Sequence, residues 1–380
     1  MTSRAEEIRA TLIQDSVSPT TILGWGVFLY VVAWVYPPLL LVVAFFASKF
    51  SSAVYKTNDS GEARRKLWAK MISDPATTPD WFATPKDIAY EEKYWVNSRG
   101  MCLMSYVMKP IKKKPKTVIM FCHGYSDQSC WMKMAEYRRL VRAGYAVMAL
   151  EYEGHGRSDG LLVSVPDWDK LIGDVSEFMF EMSSTVFPGL PLFVAGESMG
   201  GAVSYEVSQR CSEIITGTLL LCPMCAIHEN MKPSPLIIKM FYAVVGPPGS
   251  CNYLGTLPFA PSKDVGEYSF KSKDKKDAAE GHCNFFGRKP RLATARELLD
   301  TTDRISASLK EFDVPFVVLH GKADLVTDPN LSQRLFDESC SKDKTIKLYD
   351  GMWHTLTTGE PDENIERVFS DMVKWIEERV

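Results

Sequence analysis

From Thr117 onward, short β-rich apolar runs alternate with segments of helical period, and this alternation admits few folds. The runs are "TVIMFC", "YAVMALEY", "LPLFVAG", "GTLLLCP", "FVVLHG" and "TIKLYDG". Between them lie "WMKMAEYRRLVRAG", which Gly144 ends, then "DWDKLIGDVSEFMFEMSSTV" and "GAVSYEVSQRC". In the second of these, Leu171, Val175, Phe178 and Met182 recur near helical spacing. Strands separated by helices predict a mostly parallel sheet covered on both faces. Upstream, "YEEKYWV" and "MCLMSYVM" flank Asn97-Ser-Arg-Gly and read as a hairpin that adds antiparallel strands at one edge. With 380 residues, 46% of them hydrophobic, the chain can bury one large α/β domain and still carry an appendage.

The appendage is N-terminal. No charged residue occurs from Ile22 to Ser48. That span of about 27 residues exceeds the roughly 20 needed to cross a bilayer. Trp25, Tyr30, Trp34 and Tyr36 are suited to its interfaces. Pro37-Pro38 either kinks a spanning helix or divides the segment into a re-entrant hairpin. The predicted organisation is a polar segment over 1–21, a membrane anchor over 22–48, a tether over 49–85 and the α/β domain over 86–380. Arg4 and Arg9 precede the apolar run, whereas Lys49, Lys56, Arg64, Arg65 and Lys66 follow it, so the domain is expected on the cytosolic side. The organelle stays open, with the endoplasmic reticulum among the candidates. A net charge of −3 offers no basic excess for nucleic acid. Nine cysteines, an odd number scattered along the chain, fit reduced thiols, and no Cys/His cluster points to a metal.

The chemistry concentrates at "FVAGESMGGAVSYE". A serine between two glycines, at a strand end and before a helix, has the form of a nucleophile elbow. Gly196 and Gly200 let strand and helix approach more closely than a Cβ permits, and the helix N-terminus favours developing negative charge. A serine hydroxyl needs a base, and in this fold the chain order is Ser, acid, His. His354 follows the last strand, in "DGMWHTL". "HGKADLVTDP" offers Asp324 and Asp328. Asp324 lies nearer the strand end, and Asp328 precedes Pro329 as a helix N-cap would, so Asp324 is assigned as the acid. His320, ending "FVVLH", reads as a buried or turn histidine. The oxyanion donors are expected at the backbone amides of Met199 and Tyr125, the latter in "HGYSD" after the first parallel strand.

Together, "FCHGYSD", "EYEGHGRSDG", "GESMGGAV", "HGKADLVTDP" and "LYDGMWHTLTTGEPDENIERVFSDMVKWI" resemble the monoacylglycerol lipase family of serine α/β-hydrolases. The likeness is to its plant and algal branch, with lysophospholipase-like and caffeoylshikimate esterase-like members, and it covers roughly residues 86 to 380. It implies an α/β-hydrolase fold with an eight-stranded sheet and an inserted cap at about 226–302. It implies a triad on Ser198, Asp324 and His354, oxyanion donors on Tyr125 and Met199, and no metal or organic cofactor. The N-terminal apolar run departs from the family's catalytic domain. In the cap, "MKPSPLIIKMFYAVVGPPG" is expected to form a lid with an exposed apolar face. The run "KSKDKKD" reads as a solvated loop, Cys283 as a buried rather than reactive cap cysteine with substrate-binding residues near it, and His155 as support for a turn.

The expected activity is hydrolysis of lipid monoesters, monoacylglycerols first and lysophospholipids next, through an acyl-enzyme on Ser198. Esterase action on small aromatic esters, or acyl transfer to an alcohol, are rivals on the same triad. A catalytically inactive receptor or scaffold is the rival of another class. The sequence leaves head group, acyl length and oligomeric state open.

Overall fold

The eight predicted runs all form strands of one sheet, ordered β1-β2-β4-β3-β5-β6-β7-β8. They are β1 (Ile88–Val96), β2 (Cys102–Pro110), β3 (Val118–Cys122), β4 (Ala146–Leu150), β5 (Leu192–Glu197), β6 (Gly217–Leu221), β7 (Phe316–Gly321) and β8 (Lys344–Tyr349). The β1/β2 hairpin and the β2/β4 pair are antiparallel, and every pairing from β4 to β8 is parallel. The computed structural model describes residues 60–74, 85–225, 234–249, 254–260, 265–285 and 289–380.

Both sheet faces are covered, as expected for the α/β-hydrolase arrangement. Successive residues of a strand point to opposite faces. Met120, Val194, Leu220 and Val318 therefore join one core, while Phe121, Ala195, Leu221 and Leu319 join the other. The first core is closed by α3 (Trp168–Thr185), α4 (Met199–Arg210), α8 (Leu292–Ser308) and α9 (Pro329–Glu338). The second is closed by α1 (Gly61–Ser73), α2 (Lys133–Arg142) and α10 (Asp362–Glu377). The helical spacing read in α3 holds, because Leu171, Val175, Phe178 and Met182 are all buried. Because β3 to β7 are buried along their whole length, their sequences read as near-continuous apolar runs.

Three sequence expectations need correction. The tether proposed over 49–85 contains α1, a packed helix capped by the Ser60 hydroxyl, which accepts from the Ala63 amide at 3.2 Å. Leu67, Trp68 and Met71 are buried, and so is Arg64, whose guanidinium donates to the carbonyls of Gly156 (2.7 Å), Ser158 and Gly160 (3.1 Å). The helix's charges disguised it: its apolar residues join the second core, while Arg64 and Arg65 hold the "EGHGRSDG" loop. The insertion between β6 and β7 carries α5 (Pro235–Val245), α6 (Val265–Ser269) and α7 (Lys273–Glu280). Its predicted end at 302 falls inside α8, which belongs to the core: the Tyr205 hydroxyl donates to Ser308 O at 3.1 Å and the Trp168 amide to the Glu297 carboxylate at 3.1 Å. The "KSKDKKD" run is largely helical rather than loop, since α7 begins at Lys273. Its Lys275 donates to Glu360 O (2.7 Å) and to Asp362 (2.6 Å).

On α5, Leu236 is 69% exposed, in keeping with an apolar outer lid face. The expected anchor over 22–48 lies outside the described residues. Among the described residues no helix is long and apolar enough to cross a membrane.

Candidate active site

The elbow follows from three glycines. A Cβ on Gly196 would stand 2.1 Å from Gly200 O, one on Gly200 2.1 Å from Cys122 O, and one on Gly201 2.7 Å from the Pro223 Cα. Strand β5, helix α4 and the ends of β3 and β6 converge more tightly here than side chains allow. Ser198 sits at the apex with φ 60° and ψ −121°, a conformation that costs a non-glycine residue about 1–3 kcal/mol. The neighbourhood holds it there. Ser198 N donates to Leu221 O at 3.0 Å, and Ser198 O accepts from the amides of Gly201 and Met224, both at 2.9 Å. Its side chain is lifted into a cavity of about 570 Å³, which His354, Gly124 and Tyr125 also line.

The loop after β3 passes against this apex. A Cβ on Gly124 would lie 3.7 Å from the Ser198 Cβ. Tyr125 follows and lines the cavity, and Met199, next after the serine, opens α4. Beneath the loop, His123 stacks on Tyr152 with ring centroids 3.9 Å apart. His123 Nε2 accepts from the Tyr152 amide at 3.3 Å. Burial keeps His123 neutral, with its pKa well below the usual value. Burial also pushes His155 down to about 4; its Nδ1 lies 3.0 Å from Glu153 O, in agreement with a turn-supporting role.

Asp324, after β7, and His354, after β8, meet behind the cavity. His354 Nδ1 lies 2.7 Å from Asp324 Oδ2, and both residues are buried. Asp328 does what its position before proline predicts: its carboxylate caps α9 by accepting from Asn330 N at 2.9 Å. The Asp324 carboxylate is saturated. Oδ1 accepts from the amides of Val326 (2.7 Å) and Thr327 (3.1 Å), while Oδ2 is also approached by the Thr327 hydroxyl (2.8 Å) and His320 Nε2 (3.0 Å). Burial opposes its charge, but the two imidazoles outweigh burial and hold the acid well below the usual carboxylate range. Burial likewise opposes a charged His354, yet Asp324 raises its pKa above the usual 6.5. This is the electrostatic setting a general base needs.

Sequence reasoning missed two partners here. His320 Nδ1 lies 2.7 Å from the Ser332 hydroxyl, so the histidine bridges α9 to the acid. Thr327 stands three residues after Asp324, the spacing of a local side-chain-to-backbone turn, which was a readable signal. Cys283 is buried and packs into the core, while its neighbours His282 and Asn284 line the cavity. Cys222, Asp324 and His354 offer ligand atoms within 4.8 Å of one another. Burial, reinforced by the Asp324 charge, keeps the Cys222 thiol protonated, and the His354–Asp324 hydrogen bond already uses the other two groups, so the set does not suit a metal. The eight cysteines among the described residues are free thiols.

Residues 113–362 match the family model described as Hydrolase_4, serine aminopeptidase S33. The chain belongs to this family. It is 32% identical over 301 residues to the caffeoylshikimate esterase of Arabidopsis thaliana, covering 79% of this chain and 89% of that one. To the human monoglyceride lipase it is 28% identical over 299 residues, covering 78% and 94%. Among solved structures, a soluble variant of the Saccharomyces cerevisiae monoglyceride lipase in complex with a substrate analog superposes with a TM-score of 0.66 at 20% identity. That match covers 81% of this chain and 99% of the yeast one, and it is a likeness of fold.

Proposed function

We propose that the protein hydrolyses the ester bond of monoacylglycerols, with Ser198 as nucleophile, His354 as general base and Asp324 as its orienting acid. The observation that carries this reading is one cavity lined by both Ser198 and His354, with Asp324 bonded to the far side of the imidazole at 2.7 Å. Asp324 accepts from Nδ1–H, which fixes the tautomer that leaves Nε2 free to take the serine proton. Ser198 Oγ then bonds to the ester carbonyl carbon. The carbonyl oxygen becomes an oxyanion, held by the amides of Tyr125 and Met199 at the N-terminus of α4. His354 returns its proton to the departing glycerol oxygen. Water, activated by the same imidazole, splits the acyl-enzyme and frees the fatty acid.

The substrate class is supported by the relatives named monoglyceride lipase and by an apolar cavity wall that includes Trp131, Leu162, Val163, Val265 and Phe270. The similarity to a caffeoylshikimate esterase supports a second reading, hydrolysis of a hydroxycinnamoyl ester on the same residues. In either case residues 22–48 hold the enzyme at a bilayer, a reading supported by the uncharged run alone. Purified protein offered 2-oleoylglycerol, lysophosphatidylcholine and a hydroxycinnamoyl ester should turn over the first fastest. A fluorophosphonate probe should label wild type and leave Ser198→Ala unlabelled. Absence of labelling in wild type, or equal labelling of both, sinks the mechanism.

A further inference from the structure

A buried lysine stands beside the proposed site with no role in the chemistry above. Lys133, in the first turn of α2, is 1% exposed. Its ammonium lies 2.8 Å from Glu136 Oε1, 2.8 Å from Glu197 Oε2 and 3.6 Å from Asp127 Oδ2. Each carboxylate belongs to a different part of the site. Asp127 is on the loop that carries Tyr125, and Glu197 immediately precedes Ser198. Glu136 accepts from the hydroxyl of Thr357, three residues beyond His354, at 2.8 Å, and the Thr357 amide also donates to Glu197 Oε1 at 3.4 Å. The loop bearing the oxyanion donor and the strand end bearing the nucleophile therefore meet directly on one cation, and the loop bearing the base joins them through Glu136 and Glu197.

We propose that Lys133 is a positioning residue of ester hydrolysis, clasping these three segments in register and setting the electrostatic environment of His354. This inference rests on the mechanism proposed above. A purely structural ion pair would be a costly choice here, since a buried ammonium is strongly penalised unless several acceptors surround it. Burial does oppose its charge, but Glu136, Glu197 and Asp127 together outweigh burial and keep it protonated, with its pKa well above the usual lysine value. Three carboxylates surround the one ammonium, and burial pushes Glu136 up to about 7 against the pull of Lys133. The balance reaches His354. Glu197 favours the charged imidazole and Lys133 disfavours it, alongside the dominant influences of burial and Asp324. From the β3 loop, α2 and the elbow, the charged groups of the cluster are thus Asp127, Lys133, Glu136 and Glu197. Asp324 faces the imidazole from behind.

The test compares wild type, Lys133→Met and Glu197→Gln in the full chain, measuring kcat and KM for p-nitrophenyl butyrate across pH, with thermal melting as a check on folding. Loss of register between donor, nucleophile and base is expected to lower kcat by about 10- to 100-fold with little change in KM. The acid limb of kcat/KM is expected to move to higher pH in Lys133→Met, because a cation near the imidazole is gone, and to lower pH in Glu197→Gln. A role confined to stability lowers the melting temperature without these opposite shifts. Folded variants with kcat/KM within twofold of wild type, or with limbs unmoved or moved the same way, overturn the proposal. If Lys133→Met does not fold, Glu197→Gln decides by the same two criteria. A wild type that neither hydrolyses the ester nor reacts with a fluorophosphonate instead brings down the hydrolase reading, and the clasp with it.

Discussion

Gly200→Ala is a one-carbon change whose effect can be worked out before it is made. The added Cβ would stand 2.1 Å from the Cys122 carbonyl oxygen, and also 2.7 Å from Cys122 C and His123 O. Real Cβ atoms essentially never approach closer than 3.0 Å, so α4 and the end of β3 must separate by at least 0.9 Å. All three obstructing atoms are backbone, so no side chain can swing aside. Overpacking of this kind costs about 1–3 kcal/mol of stability. The catalytic loss should be larger, because the two elements being forced apart carry the proposed oxyanion donors, Met199 on α4 and Tyr125 just beyond β3. Misalignment of one donor costs about 3 kcal/mol, or on the order of 10²-fold in kcat. Steady-state kinetics on a soluble ester, fluorophosphonate labelling rates and thermal melts would measure both terms. Gly173→Ala is the internal control. Gly173 lies within α3 with nothing inside 4 Å of its added Cβ, so alanine there should stabilise by about 0.4–1 kcal/mol and leave kcat alone. A folded Gly200→Ala enzyme with kcat within threefold of wild type would refute the claim that this close approach sets the oxyanion geometry.

Other perturbations test other parts of the site. Asp324→Asn should lower kcat by about 10⁴-fold, since the amide supports the wrong imidazole tautomer. Burial opposes the Asp324 charge but its imidazole partners depress its pKa below the usual 3.8, so its stabilisation is complete above that value and drains as pH falls. The difference in urea midpoint between wild type and Asp324→Asn should therefore shrink from pH 7 towards pH 3. His354 is raised above 6.5 despite burial, and only its neutral form accepts the serine proton, so kcat/KM should fall with decreasing pH through a limb lying above 6.5. His320→Leu leaves Asp324 without its second imidazole and should reduce kcat several-fold, whereas His320→Gln, which keeps a donor, should recover most of it; equal losses in both would argue for packing alone. Truncation at residue 60 should leave the catalytic domain intact, while truncation at residue 85 removes Arg64 from the carbonyls of Gly156, Ser158 and Gly160 and should lower the melting temperature markedly. The full chain, unlike the chain from residue 60, is expected to pellet with membranes and to need detergent for release.

The eight strands, the glycine-flanked turn at Ser198 and the pairing of Asp324 with His354 were legible in the chain itself. Each is announced by residues adjacent in sequence: apolar runs of strand length, glycines either side of a serine, an aspartate just past a strand end. Even the choice between Asp324 and Asp328 could be made locally, because the proline after Asp328 marks a helix start. What could not be read is which distant side chains converge. Lys133 meets Glu197 across 64 residues and Glu136 meets Thr357 across 221. Arg64 looked like one more charge on a linker until its helix docked on a loop more than 90 residues away. Periodicity reports which face of an element is apolar and says nothing of the element opposite. Parallel strands return through crossovers, so the carboxyl edge of the sheet gathers loops from the whole length of the chain. Only their packing decides that one acid is shared by two imidazoles and that one ammonium is ringed by carboxylates.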